Sequence, residues 1–376
     1  MKLLQTLLST EASWTDLTGD LSPEDAGLVL VFGLRATLAK PALFDEVRKR
    51  FPNARVVMVS TAGNLADIRI EDEQLVCTAL CLERATLRCA SARLETGANL
   101  DTLCQLLGSQ LNAPDLRHVL VFSDGSLVNG STLIAAFNQC LPEGVTLSGG
   151  LAGDGTDFAS TLVGLDSPPT TGVVVAVGLY GESLRLGFGS AGGWSTFGPS
   201  RTVTASANNV LSELDGQPAL ELYRAYLGPE ADALPAAALR FPLSVVPPHQ
   251  TKAVVRTILS IDDDAGTMTF AGDIPKGASV RFMRASYEEL VNGAEEAARQ
   301  AVQASELVIC VSCVGRRVVL GERTEEELEG VRSIFGQTPV LTGFYSYGEL
   351  APSGHEHACQ LHNQTMTITS LAEELA

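Results

Sequence analysis

Short apolar runs alternate with stretches whose apolar residues fall three or four apart, and the alternation recurs three times along the chain. The first occurrence opens with LVLVF (28–32). It continues through PALFDEVRKRF (41–51), where Leu43, Val47 and Phe51 share a helical face and Pro41 suits a first helical position. VVMVS (56–60), a turn TAGN and a strand LVCTALCL (75–82) complete it. The second opens with HVLVF (118–122). Asn129 suits the cap of a helix STLIAAFNQCL, with Leu133, Ala136, Phe137 and Cys140 on one side. VTLSGG (145–150), a glycine corner and strands TLVGL (161–165) and VVVAVGL (173–179) follow. The third opens with LVICV (307–311). Thr324 and Glu327 have capping-box spacing for TEEELEGVRSIF, and PVLTGFY (339–345), a corner SYGELAP and CQLHNQTMTIT (359–369) come next.

Each unit therefore reads strand, helix, strand, corner, strand. The helix between the first two strands makes them parallel, and the third strand is expected to fold back as a meander. The fold class this predicts is α/β: two related parts with mixed β-sheets flanked by helices, built from repeated β-α-β-β units. Between the second and third units lies a different region. LRLGFGSAGGW (184–194) and SRTVTASANNVL (200–211) read as strands, and DGQPALELYRAYLG as a turn and a helix ending at Gly228. GPEADALPAAALRFP reads as a surface passage. AVVRTILSI and TMTFAGDI pair as a hairpin around DDDAG. SYEELVNGAEEAARQAVQ (286–303) reads as a helix with Leu290, Ala294, Ala297, Ala301 and Val302 inward. The chain divides best near Asp215–Gln217, giving parts 1–216 and 217–376.

With 376 residues, 45% of them hydrophobic, the chain can bury a sizeable core. Its net charge of -18 repels nucleic acid and anionic lipid, which removes both as expected partners. No apolar run approaches the roughly 20 residues of a membrane helix. The start, MKLLQTLLSTEASW, lacks the apolar core and cleavage site of a signal peptide, so a cytoplasmic location is expected. The eight cysteines mostly sit in apolar patterns, which argues against a secreted disulfide framework.

GGLAGDG (149–155) raises the question of a phosphate cradle. A dinucleotide fingerprint needs G-x-G-x-x-G between a strand and a helix, and here loop and strand follow. A P-loop needs Gly-Lys-Ser/Thr, and no lysine is near. What remains is backbone geometry. Gly153-Asp154-Gly155 tolerates a tight turn, while Gly149 and Gly150 let another backbone or a ligand approach the sheet. STAGN (60–64) and GFYSYGE (343–349) are the equivalent corners. Small residues there either pack the units together or leave room for a small molecule.

The remaining candidate chemistry is sparse. CVSC (310–313) has CxxC spacing, but it lies in a strand with no second CxxC, which favours a core role. His355, Glu356, His357 and His362 cluster within eight residues around Cys359. His362, on a face with Gln364, Met366 and Ile368, is the best axial candidate if haem is bound; no other cofactor is expected. Arg316 has the geometry to hold a carboxylate in a bidentate pair, and Asp154 or Glu349 to hold an ammonium, the set an amino acid requires. Tyr345 and Tyr347 either wall a pocket or pack, and Ser60 ends a strand. No G-x-S-x-G or H-E-x-x-H occurs; Ser123, Ser126 and Ser131 have no histidine at recognisable spacing. The expected ligand-binding set is Ser60, Gly150, Gly153, Asp154, Arg316, Tyr345, Tyr347 and Glu349.

GGLAGDG, then GWSTFGPSRTVTASANNVLSELDGQPALELYRAYLG, then CVGRRVVLG and GFYSYGELAP, resemble the FIST family in order and spacing from about Gly27 onward. That is a two-part sensory module, FIST N followed by FIST C. The resemblance implies a stand-alone sensor in bacterial signal transduction that binds a small metabolite such as an amino acid. Its output would pass to a separate partner such as a histidine kinase, a diguanylate cyclase or a chemoreceptor. Some relatives are haem proteins that sense nitric oxide and regulate histidine kinases or cyclic-di-GMP enzymes, which gives an alternative. An enzyme acting on a small metabolite is a further one.

Overall fold

A computed structural model describes residues 1–95, 99–234, 236–303, 305–353 and 356–374. The first repeat comprises β1 (Lys2–Leu8), β2 (Trp14–Gly19), β3 (Leu28–Leu34), α1 (Arg35–Leu38), α2 (Pro41–Arg50), β4 (Arg55–Thr61), β5 (Asn64–Ala66), β6 (Arg69–Ile70) and β7 (Leu75–Cys81). The second comprises β8 (Thr86–Arg93), α3 (Leu100–Leu111), β9 (Leu116–Ser123), α4 (Gly130–Cys140), β10 (Thr146–Leu151), β11 (Val163–Leu165) and β12 (Val173–Tyr180). The third begins with β13 (Leu184–Ala191) and is then interrupted. The insertion holds β14 (Ser195–Ala207), β15 (Val210–Leu214), β16 (Gln217–Pro218), α5 (Ala219–Leu227), β17 (Leu243–Val246), β18 (Val254–Arg256), β19 (Ile258–Asp262), β20 (Thr267–Phe270) and β21 (Ser279–Arg284). The repeat resumes with α6 (Tyr287–Ala301), β22 (Leu307–Cys313), α7 (Val314–Leu320), α8 (Glu325–Phe335), β23 (Val340–Ser346), β24 (Gly348–Ser353), β25 (Glu356–His362) and β26 (Met366–Glu373).

The three repeats build three six-stranded sheets that share one five-strand order and differ in the sixth, edge strand. In each, a helical crossover makes two strands parallel: β3 with β4, β9 with β10, β22 with β23. The third strand is antiparallel as expected, but it does not form a meander with the second. It pairs with the first strand instead, β7 on β3, β12 on β9 and β26 on β22. The place beside each second strand is taken by another repeat. β5 of the first repeat pairs with β23, β11 of the second with β4, and β24 of the third with β10. Each corner thus sends its strand into the next sheet, closing a ring.

This exchange explains the continuous apolar strands. Leu28, Leu30 and Phe32 face inward with Leu120, Phe122, Val311 and Phe344 in one shared core. Val29 and Val31 face outward onto Leu43 and Val47 of α2 and onto Phe51 just past its end. Phe32, Phe122 and Phe344 meet where the repeats join, with ring centroids 4.9 to 6.2 Å apart. Helix pairs α3–α4 and α6–α8 cover the outer faces of their sheets.

The insertion forms its own sheet, in the order β18-β17-β21-β14-β15-β20-β19 with β16 beside β15. It has a separate core around Tyr223, Met268, Phe270 and Phe282. α5 ends at Gly228, whose φ is 57°. The Pro/Ala passage is not wholly superficial: Ala237, Ala238 and Leu239 are buried. Val302, expected inward, is exposed just beyond the end of α6.

Candidate functional site

The three corners meet backbone to backbone. Ala62 N donates to Tyr345 O at 2.8 Å and Tyr345 N to Gly63 O at 2.8 Å. Gly153 N donates to Ser60 O at 2.9 Å, and Tyr347 N to Leu151 O at 3.2 Å. A Cβ on Gly153 would stand 2.9 Å from Ala62 N, closer than real side chains approach. A Cβ on Gly150 would stand 2.7 Å from Val311 Cγ1 and 3.0 Å from Phe344 Cζ. Ser60 is fully buried; its hydroxyl donates to Gly153 O and accepts from Leu162 N, each at 2.8 Å. The small residues of the corners therefore permit packing, and Ser60, Gly150 and Gly153 face protein.

Arg316 is likewise absorbed. It is wholly buried and ion-paired with Glu327 at 2.6 Å. Its remaining donors reach Gly192 O at 2.6 Å and Leu290 O at 2.8 Å. Glu327 also accepts from Ser312 at 3.1 Å and from the Tyr345 hydroxyl. Burial, then the Glu327 charge, raises the Tyr345 phenol well above its ordinary value. The expected bidentate partner of Arg316 is thus a side chain of α8, not a ligand carboxylate. The capping box expected of Thr324 and Glu327 is absent for the same reason. Glu327 turns inward, and Thr324 makes no side-chain cap bond.

Glu349 is fully buried and accepts from Ser346 at 2.7 Å and from the Thr365 hydroxyl at 3.0 Å. Burial pushes its carboxyl up to about 8, against the partial pull of those hydrogen bonds. At neutral pH it is a neutral acid, so it supplies no negative charge for an ammonium. Cys310 and Cys313 are buried in β22, and burial raises the Cys310 thiol to about 12. Neither is a ready nucleophile.

One corner does open. The Tyr347 hydroxyl donates to Asp154 Oδ1, and Asp154 Oδ2 accepts from the amides of Ala159 (3.1 Å) and Ser160 (2.8 Å). Phe158 lies on Tyr347 with ring centroids 4.6 Å apart, and its own amide donates to the Tyr347 hydroxyl at 3.1 Å. Phe158 has φ of 51°, a conformation strained for a bulky side chain. These two rings wall a cavity of about 440 Å³. Its second wall is the segment 125–130, between β9 and α4. Its third is the insertion, through Asn209, Ser260 and Thr269. The segment 125–130 is held by buried Asp124, which accepts from the amides of Ser126 (2.7 Å), Leu127 (2.8 Å) and Gly172 (2.7 Å). The cavity thus sits beyond the carboxyl ends of parallel strands, where open α/β sheets take ligands, and at the seam between two cores.

A larger cleft of about 890 Å³ lies elsewhere, lined by Arg117, Arg185, Phe188, Ser190 and His362. His362 is half-buried. Its Nδ1 is 3.2 Å from Ser190 Oγ, and its buried Nε2 has no partner among the described residues. Burial lowers its pKa to about 4, so the ring is neutral. His355, and the side chains of Glu356 and His357, lie outside the described residues. His118 Nε2 is 3.0 Å from Ser148 Oγ, the spacing of a base and a nucleophile. Both are fully buried, and burial lowers His118 to about 3, which makes it a poor base.

Asp154 and Tyr347 are therefore brought together, and Tyr345 joins Arg316. Sequence reasoning gave Glu327 the role of a helix cap, and it missed Phe158, the cavity role of the 125–130 segment and the insertion's contribution. The segment alone carried a signal, SDGSLVN directly after the strand HVLVF. Nothing local marks Phe158, because its role depends on Tyr347, 189 positions away.

A FIST N domain profile matches residues 27–217 and a FIST C domain profile residues 219–352. No curated protein matches the chain. Among solved structures, one described as "Crystal structure of cyanuic acid hydrolase from A. caulinodans" is similar at 12% identity and a TM-score of 0.19. The likeness covers 77% of this chain and 100% of that one, and at that score it supports no inference.

Proposed function

The chain belongs to the FIST family, and from that premise we propose that it is a small-ligand sensor whose ligand occupies the cavity between Phe158–Tyr347, the 125–130 segment and the β19–β20 hairpin. FIST domains are associated with small-ligand sensing in signal transduction. The observation that carries the reading is that this cavity takes its walls from two bodies with separate cores. A molecule held there touches both, so it binds one relative arrangement better than others and shifts the population toward it. The altered surface is then read by a separate output protein such as a histidine kinase, a diguanylate cyclase or a chemoreceptor. Among the described residues, no helix is long and apolar enough to cross a membrane. The test is a melting series over amino acids, nucleobases, amides and carboxylic acids. At least one compound should raise Tm in the wild type and fail to do so in Ser260→Trp, where the exposed Ser260 becomes a side chain that fills the cavity. A panel without a shift, or shifts that survive Ser260→Trp, would remove this site.

A second reading, a haem-based nitric-oxide sensor, rests on His362. Its ring is neutral and oriented by Ser190, its Nε2 lacks a partner among the described residues, and it lines a cleft with apolar Phe188 and two arginines. His362 would be the axial ligand if its buried Nε2 turned toward the cleft, and Arg117 would meet a propionate, whereas Arg185 is already paired with Glu374. Haem, when bound, would supply the iron that takes up the gas. Protein expressed with haem should then show a Soret band that His362→Ala moves. Colourless protein that takes up no haem contradicts this reading.

A further inference from the structure

We infer that the cavity beside Phe158 and Tyr347 selects an uncharged molecule with a flat apolar or aromatic face, and rejects free amino acids. The inference deepens the sensing role proposed above and rests on it. The first support is charge. Among the described residues, the lining carries no carboxylate, ammonium or guanidinium; its polar groups are backbone and the hydroxyls and amides of Ser126, Asn129, Asn209, Ser260 and Thr269. Asp154, behind Tyr347, already accepts from that tyrosine and two amides. Arg316, the guanidinium that a carboxylate would seek, is sealed against Glu327. A zwitterion would bring two charges into a site that answers neither, and an unpaired buried charge costs far more than a neutral hydrogen bond returns.

The second support is shape. The Phe158–Tyr347 stack gives the cavity an aromatic wall on one side, with Leu151 beside it and the polar side chains of the insertion opposite. A flat ring contacts such a wall over one face at little conformational cost. Neutral edge groups on the ring, such as an amide, match hydroxyl and amide partners. The third support is strain: Phe158 holds its ring on Tyr347 at a φ of 51°. Strain of this kind persists where the surroundings fix it, and it recurs at ligand clamps.

Benzamide, benzoate and benzamidinium share a ring and nearly a shape while differing in charge. Titrated against the full chain by ligand-observed NMR, benzamide should bind at least about tenfold more tightly than benzoate, a gap of about 1.4 kcal/mol. Benzamidinium should fall between, because Asp154 stands behind the wall. Benzamide binding should weaken at least about tenfold in Ser260→Trp, and free phenylalanine should not compete with it. Benzoate or benzamidinium binding as tightly as benzamide overturns the inference, as does an absence of binding by all three. The site itself stands or falls separately. If the metabolite panel yields shifts lost in Ser260→Trp while benzoate equals benzamide, the cavity binds ligands and only the ligand class is wrong.

Discussion

At the corner of the second repeat, Asp154 is tied to Tyr347 and stands beside a cavity; at the corner of the third, Glu349 is tied to Ser346 and Thr365 and sealed from water. Both corners follow the second strand of a repeat, and both are rich in small residues. What separates them is the covering element. Glu349 is covered by the turn before β26, a part of its own repeat that packs with no gap. Asp154 and Tyr347 are faced by the inserted sheet, which has its own core and stands off. Glycine at such a corner specifies close approach of backbones. Of these two corners, the one with a cavity is the one whose facing wall belongs to another body.

That contrast can be broken in several places. The largest effect is expected at the sealed side. Glu327→Leu leaves the Arg316 charge buried without a partner and should cost about 3–5 kcal/mol in denaturant unfolding; a loss below about 1 kcal/mol would mean that Arg316 is not committed there. Gly150→Ala comes next. Its methyl must displace Val311 and Phe344, and overpacking of this kind costs about 1–3 kcal/mol. A neutral Gly150→Ala would reveal a vacancy where the packed corner leaves none.

Glu349 adds a pH signature. Its folded pKa of about 8 lies above the ordinary 4.5, so between those values the native state keeps a proton that the unfolded chain has released. Stability therefore falls as pH rises through that window, by about 1.4 kcal/mol per pH unit. His118, at about 3, and His362, at about 4, act in the opposite sense, adding stability as pH rises toward 6.5. From pH 6.5 to about 7.5 the carboxyl slope dominates, the Met1 amine, also raised from its ordinary 8.0, adding to it nearer pH 8, and Glu349→Gln should flatten it in urea titrations at stepped pH. An unchanged slope would show that Glu349 is ionised at neutral pH.

The smallest stability effect belongs to the open corner. Phe158→Gly relieves a strained φ but removes a stacked ring, two effects of about 1 kcal/mol that oppose each other. Tm should barely move while benzamide binding drops at least about tenfold. Loss of stability without loss of binding would make Phe158 a packing residue.

Much of this architecture is legible in the amino-acid sequence. The runs LVLVF, HVLVF and LVICV are strands because they are buried on both faces, and their period marked the repeats. The exchange of β5, β11 and β24 between sheets was not legible. Those strands are short, and their partners are set by how three repeats close on one another. Arg316 and Glu327 read as a ligand grip and a helix cap because a sequence shows residue type and spacing, not which charges will find each other eleven positions apart in a closed core. Asp154 and Tyr347 stood in the expected ligand-binding set without being paired, and the cavity beside them is finished by Ser260 and Thr269, whose place depends on how an insertion of separate core docks.

Hydrogen exchange of the full chain with and without saturating benzamide tests the central claim most directly. If a ligand in this cavity couples the two bodies, protection should rise together in residues 125–130 and in the β19–β20 hairpin, with Ser260→Trp abolishing both changes. Protection confined to one body, or appearing instead around His362 and Arg185, would contradict it.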